Sequence, residues 1–138
     1  MFYEHKYGRG GQKKNKTSSA VRLILRGTSI QASASEDRQQ SVNKKRALRR
    51  LRFEIALKMR ETFIPWKGDW NINEKNSDFP LLAASLLDGL DECNFQVSDL
   101  AKNLNKSTSA LIKVLQKSQL VWRFINEERQ KRGMKTLR

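Results

Sequence analysis

Residues 21–34 read VRLILRGTSIQASA, and this stretch predicts a β-hairpin. Val21, Leu23 and Leu25 alternate with other side chains, which is the period-two pattern of a strand with one buried face. Apolar and polar residues alternate again over residues 30–34, and the four residues between the two runs can turn the chain.

A long helix is expected after the hairpin, from Ser41 to about Phe63, with Pro65 ending it. Ser41 is suited to cap the N-terminus of this helix. Apolar side chains recur at steps of three and four residues and predict one face that covers the hairpin: Leu48, Leu51, Ile55, Met59 and Phe63. A further short strand is expected at residues 2–6.

The second half of the chain is expected to be helical. Residues 66–77 (WKGDWNINEKNS) predict a linker, and Pro80 begins a helical region with an apolar side made of Leu81, Leu82, Leu86, Leu87 and Leu90. Residues 97–115 resemble a helix-turn-helix, in which Asn105 can take the left-handed turn conformation and Ser107 can cap the second helix. Residues 127–138 are basic and are expected to fray.

These elements predict an α+β protein with two modules. The first, residues 1–65, is a small β-hairpin or sheet packed by a long helix. The second, residues 78–138, is a small all-helical, helix-turn-helix-like module with a basic C-terminal tail, and residues 66–77 link the two.

The charge of the chain indicates a polyanionic partner. It has 28 Lys and Arg residues against 14 Asp and Glu residues, a formal net charge of +14. Residues 1–62 carry a net charge of +11 and residues 102–138 a net charge of +8, while residues 78–101 between them carry −5. Nucleic acid is the leading candidate. No apolar run is long enough for a membrane-spanning helix, and the N-terminus lacks the pattern of a signal or transit peptide, so we expect a cytoplasmic protein and no membrane partner.

The chain contains one cysteine and one histidine, which limits its chemistry. Cys93 cannot form an intrachain disulfide, and with His5 it cannot build a zinc site of ordinary composition. A buried thiol and an exposed histidine are the simpler interpretation. Catalysis would therefore have to work without a histidine base or a protein-held metal, and no cofactor is expected.

Residues 8–23 read GRGGQKKNKTSSAVRL and resemble the catalytic signature of class I peptide chain release factors. In that family a Gly-Gly-Gln loop is followed by an Asn-Lys pair, a Ser and a Val-x-Leu strand, and the matching residues are Gly10, Gly11, Gln12, Asn15, Lys16, Ser19, Val21 and Leu23. The family's next segments are matched by residues 37–40 (DRQQ) and by Asn43, Lys44, Ala47 and Leu51. Tyr7 and Arg9 depart from the family pattern on the flank of the loop.

This resemblance implies hydrolysis of peptidyl-tRNA. The reaction passes through a tetrahedral oxyanion, so it needs a positioned water and a donor for the developing charge. Gly10 and Gly11 would allow backbone angles and a close approach that side chains prevent. The family assigns the stabilising backbone N–H and the water pocket to the position of Gln12, while ribosomal RNA and tRNA supply the other groups. No segment resembles the stop-codon-recognition domain of the codon-specific factors, so a codon-independent, ribosome-rescue type is expected.

The expected partners are large-subunit ribosomal RNA and peptidyl-tRNA, bound by a protein that is monomeric in solution. The candidate RNA-binding residues are Arg9, Lys13, Lys14, Asn15, Lys16, Arg22, Arg38, Lys44, Lys45, Arg49, Lys106, Lys113, Lys117, Arg129, Lys131 and Arg132. Two alternatives stay open: a helix-turn-helix regulator that binds nucleic acid, and a catalytically silent ribosome-binding paralogue. The sequence does not identify the stalled state that triggers release, a methylation of Gln12 or a protein partner.

Overall fold

The computed structural model describes the backbone of residues 3–7 and the whole of residues 19–138. The chain forms two compact units, Met1–Lys58 and Met59–Arg138. In the first unit, strands β1 (Tyr3–Tyr7), β2 (Val21–Leu25) and β3 (Gln31–Ala34) precede helix α1 (Gln40–Lys58). The second unit contains helices α2 (Phe79–Glu92), α3 (Val97–Asn103), α4 (Thr108–Leu115) and α5 (Gln119–Lys131). The α+β class predicted from the sequence is confirmed.

The three strands form an antiparallel sheet in the order β1-β2-β3. The predicted hairpin is present, with Val21 opposite Ala34 in the register of β2 and β3. Its turn is closed by a hydrogen bond of 2.9 Å from the backbone N–H of Leu25 to the carbonyl oxygen of Ile30. Gly27 has a φ of +80° in this turn, a conformation that residues with a Cβ rarely adopt.

The core of the first unit lies between one face of the sheet and α1. Buried side chains from the strands meet helical residues spaced four apart, and the cluster consists of Val21, Leu23, Leu25, Ile30, Ala34, Ala47 and Leu51. Leu48 and Ile55 pack against it as predicted. The expected end of the helix was wrong, because α1 stops at Lys58, five residues before Phe63. Met59 is consequently outside the helix and 40% exposed.

Residues 59–77, which precede α2, make side-chain and backbone contacts with the helices of the second unit. The N–H groups of Glu61 and Phe63 donate to the carboxylates of Asp88 and Glu92, at 3.1 and 2.7 Å. Phe63 also packs beside Gly89, where a Cβ would lie only 2.9 Å from its ring. Phe63 was expected to cover the hairpin and instead packs on α2.

The helices of the second unit enclose a core rich in leucine. The α2 residues Leu82, Leu86, Leu87 and Leu90 are buried, as expected for its apolar side. Leu81 was predicted on the same side, but this was wrong, because it is 59% exposed. Helices α3 and α4 are joined by a tight turn in which Asn105 has a φ of +55°, as expected. Ser107 caps α4, since its Oγ accepts the N–H of Ala110 at 3.1 Å. The left-handed conformation of Asn105 and the cap at Ser107 are therefore as predicted.

The C-terminal residues fold back onto α5, which contradicts the expected fraying. The N–H of Leu137 donates to the side-chain oxygen of Asn126 at 2.6 Å. The guanidinium of Arg129 donates to the carbonyl oxygen of Lys135 at 2.8 Å. Side chains on α5 therefore fix the residues that follow it. Among the described residues, no helix is long and apolar enough to cross a membrane.

Candidate functional site

The residues with the strongest sequence signal for catalysis lie outside the described part of the chain. This holds for Gly10, Gly11 and Gln12, and for the neighbouring candidates Arg9, Lys13, Lys14, Asn15 and Lys16. The structure does describe the sheet to which both ends of residues 8–18 are joined, and the side chains that hold the C-terminal end.

The strands that precede and follow residues 8–18 are paired with each other. Tyr7, the last residue of β1, lies opposite Val21, the first residue of β2, in the antiparallel register. The Cα atoms of opposed residues in such a ladder are about 4.5–5.5 Å apart. The chain therefore leaves the sheet for the Gly-Gly-Gln segment and returns to it at neighbouring points.

Asn43 fixes the C-terminal end of the segment through its side-chain amide. Its Nδ2 donates to the carbonyl oxygen of Ser19 at 2.9 Å and to that of Asp37 at 2.8 Å. Its Oδ1 accepts the backbone N–H of Asp37 at 3.1 Å. Asn43 is fully buried, so both amide protons and the oxygen are matched inside the protein, as burial of a polar group requires.

Ser19 adds a direct bond between the same two stretches of chain. Its Oγ donates to the carbonyl oxygen of Asp37 at 2.8 Å, and the residue is 4% exposed. The Oδ1 of Asp37 in turn accepts the N–H of Gln39 at 2.8 Å, just before α1 begins. The start of α1 and the residues leading into β2 are thus joined by one hydrogen-bond network, which we call the Asn43 network (Ser19, Asp37 and Asn43).

A second connection holds the residues after β3 to α1. The guanidinium of Arg50 donates to the carbonyl oxygen of Ser33 at 2.7 Å and to the carboxylate of Glu36 at 2.6 Å. The hydrogen bond from Arg50 lowers the pKa of the Glu36 carboxyl to about 2. Because both side chains are about half exposed, solvent weakens this ion pair.

Sequence reasoning included Ser19 and Asn43 only as matches to a family pattern and missed their structural role. One signal could have revealed it. Asn43, Ala47 and Leu51 recur every four residues, so an amide occupies a position in line with two core side chains. A polar residue on a buried helical face must have internal partners.

The basic candidates of the first unit are mostly accessible. Arg22 on β2, Arg38 before α1, and Lys44 and Lys45 on α1 are exposed. Arg49 is half-buried, with its guanidinium 5.6 Å from the centre of the Phe53 ring. Helix α1 carries seven cations and one acidic residue. These positive charges repel one another, and a bound polyanion would neutralise them.

The basic candidates of the second unit differ in how far their charged groups are engaged within it. Lys117 and Arg129 donate to backbone carbonyl oxygens, and the Nζ of Lys106 lies 4.3 Å from the centre of the Trp70 ring. Arg132 stacks on Phe95 at 4.3 Å. Lys131, although exposed, pairs with Glu128 at 3.4 Å. Lys113 is exposed on α4.

Cys93, the single cysteine, is half-buried directly after α2, and burial raises the pKa of its thiol. The sequence interpretation of Cys93 as a buried thiol is thus corrected to a half-buried one, although its raised pKa disfavours the nucleophilic thiolate.

The described geometry defines a small antiparallel sheet, covered by a basic helix, that holds both ends of a Gly-Gly-Gln segment. Comparison with protein-family models identifies this part of the chain: residues 5–65 match the RF-1 domain. The match supports the release-factor catalytic domain family for these residues, in agreement with the sequence motif. The match supports a release-factor-like function in peptidyl-tRNA release and implies interaction with the ribosome. No curated protein and no solved structure matches the chain significantly.

Proposed function

We propose that the protein hydrolyses the ester bond of peptidyl-tRNA on the ribosome without a stop-codon requirement, using Gly10, Gly11 and Gln12. The observation that carries this proposal is the RF-1 domain match over residues 5–65, which contains the Gly-Gly-Gln sequence. The Asn43 network and the pairing of Tyr7 with Val21 support it, because they fix the chain on both sides of the segment.

The chemistry proposed for this segment uses backbone and water rather than an ionisable side chain. Water attacks the ester carbonyl, and the tetrahedral intermediate carries a negative oxygen that an N–H donor stabilises. The backbone N–H of Gln12 is the proposed donor, and the two glycines before it permit a close approach to the ester. The side chain of Gln12 shapes the water pocket. Ribosomal RNA and tRNA provide the remaining contacts, so the isolated protein has little activity.

Codon independence is proposed from the nature of the second unit. It consists of four helices within the described residues 59–138, and its sequence resembles no stop-codon-recognition domain. In this proposal the exposed cations of α1, with Arg22 and Arg38, neutralise phosphates of large-subunit ribosomal RNA. The second unit adds an RNA contact through its own exposed cations, beginning with Lys113.

The decisive experiment measures release of labelled peptide from purified ribosomes that carry peptidyl-tRNA. Three complexes are compared: a vacant A site, a sense codon and a stop codon. We expect release on the vacant A site, little difference between the sense-codon and stop-codon complexes, and none from free peptidyl-tRNA. A strong requirement for the stop codon would contradict codon independence but keep the hydrolase assignment.

The same experiment separates the hydrolase from its two alternatives. Sedimentation with ribosomes without any ester cleavage would identify a catalytically silent ribosome-binding protein. Absence of ribosome association, together with a footprint on duplex DNA, would favour a helix-turn-helix regulator, an alternative that rests on the two short consecutive helices α3 and α4.

A further inference from the structure

The Asn43 network has two properties that distinguish it from ordinary core packing. It is entirely polar, and its bonds end on the residues that lead into β2 and α1 rather than on the hydrophobic cluster. The ladder between β1 and β2 ends at Val21, while Ser19 lies two residues beyond that pair, next to residues 8–18. The amide of Asn43 therefore acts where pairing of the sheet has already ended.

We propose that Asn43 is a positioning residue for peptidyl-tRNA hydrolysis, acting through Ser19 on the placement of the Gly-Gly-Gln segment. This inference rests on the proposed function. Asn43 touches neither substrate nor reacting water; it fixes the backbone of Ser19, seven residues after Gln12 in the chain. A displacement of about 1 Å at a reacting group can lower a rate by roughly 100-fold. In this proposal the fixed backbone position of Ser19 therefore influences the rate of the chemical step.

The chemistry of the amide explains why this position suits asparagine. One side chain supplies two donors to the carbonyl oxygens of Ser19 and Asp37 and one acceptor to the N–H of Asp37. Aspartate would turn an oxygen toward both carbonyl oxygens, and alanine would leave three backbone groups of Ser19 and Asp37 without this partner. The hydroxyl of Ser19 supplies a separate donor to Asp37, so its removal weakens the same network more mildly.

The test is single-turnover peptide release by the full-length chain, measured over a range of protein concentrations. The variants are Asn43→Ala, Ser19→Ala and the control Ser41→Ala, which changes an exposed residue in the first turn of α1. Folding is checked by circular dichroism at the assay temperature. We expect Asn43→Ala to lower the maximal release rate by about tenfold or more, and Ser19→Ala by about threefold. The half-saturating concentration should stay within about twofold of the parent value, since the cations that bind RNA are unchanged.

A purely structural role gives a different result. A partly unfolded variant has less active protein, so its half-saturating concentration rises while the rate at saturation reaches the parent value. A folded Asn43→Ala variant with the parent maximal rate would overturn the proposal. If Asn43→Ala does not fold, Ser19→Ala decides, and an unchanged maximal rate for that variant would overturn it as well. Absence of release by the parent protein would instead refute the proposed function.

Discussion

The Nζ atom of Lys117 donates a hydrogen bond of 2.8 Å to the carbonyl oxygen of Ile72. It also lies 3.4 Å from the carbonyl oxygen of Trp70, whose ring faces the Nζ of Lys106 at 4.3 Å. Two lysines of the basic C-terminal segment thus hold residues 70–72, which the sequence predicts as part of a linker. Within this unit the charge of Lys117 has a structural use that net charge alone does not reveal.

We expect Lys117→Met to loosen residues 70–72 and to lower the free energy of unfolding of the second unit. The loss should be about 1–2 kcal/mol, since a half-buried, charged donor to two carbonyl oxygens disappears while the aliphatic part is kept. Thermal unfolding and tryptophan fluorescence measure the effect, because Trp70 lies in the released stretch. Lys113→Met is the matched control: it removes the same charge from an exposed site on α4. Equal stability of the two variants would contradict a structural role for Lys117.

The local features of the fold could be predicted from sequence because their causes are local. The hairpin follows from alternation over residues 21–34, and the turn at Asn105 and the cap at Ser107 follow from the preferences of those side chains. The end of α1 could not be predicted in this way. Residues 59–63 continue the helical spacing of apolar side chains, but hydrogen bonds to Asp88 and Glu92 and the space beside Gly89 favour a non-helical path.

The candidate site, too, has parts that could be predicted from sequence and parts that could not. The Gly-Gly-Gln sequence is contiguous and is found by inspection, whereas the bond from Asn43 to Ser19 joins residues 24 positions apart. The availability of a cation also depends on distant residues. Lys113 and Lys117 are the same residue type and lie four positions apart. Lys113 is exposed, whereas Lys117 donates hydrogen bonds to residues more than 40 positions earlier.

The ion pair between Glu36 and Arg50 predicts a loss of stability in acid. The pKa of the Glu36 carboxyl falls from an ordinary value of 4.5 to about 2 in the folded chain. Because the folded-state pKa is lowered, the stabilising contribution is complete above pH 4.5 and disappears as the pH falls toward 2. Melting temperatures of the parent and of Glu36→Gln should therefore differ at pH 7 and converge as the pH falls to about 2. Solvent exposure keeps the difference small. A gap that is constant with pH would show that Glu36 does not contribute through its charge.

Substitution of either glycine in the Gly-Gly-Gln sequence should abolish release without preventing ribosome binding. In Gly10→Ala or Gly11→Ala the added Cβ restricts the backbone and blocks its approach to the ester. Peptide release and ribosome sedimentation are measured on the same preparations, with Ser41→Ala, which changes an exposed residue of α1, as the control. Full release by both variants would refute the assignment of the catalytic residues.

The salt dependence of ribosome binding tests whether the second unit contacts RNA. Each cation that displaces a counterion from a phosphate contributes up to about one unit to the slope of log affinity against log salt. Neutralising the whole candidate set, Lys106, Lys113, Lys117, Arg129, Lys131 and Arg132, should weaken affinity and flatten the slope. Release at saturating protein should stay near the parent rate. The double variant with Lys113→Gln and Lys131→Gln, both at exposed positions, separates RNA binding from stability better than the full set. The other four side chains also make contacts within the fold.

The control for this pair is Lys67→Gln with Lys75→Gln, which removes two exposed charges from residues not expected to bind RNA. We expect the Lys113 and Lys131 variant to lower the slope by as much as about two units and the control to change it little. Equal slopes for the parent and both variants would show that the second unit makes no phosphate contact through these residues. A protein partner for the exposed face of α4 would then be the better explanation of its role.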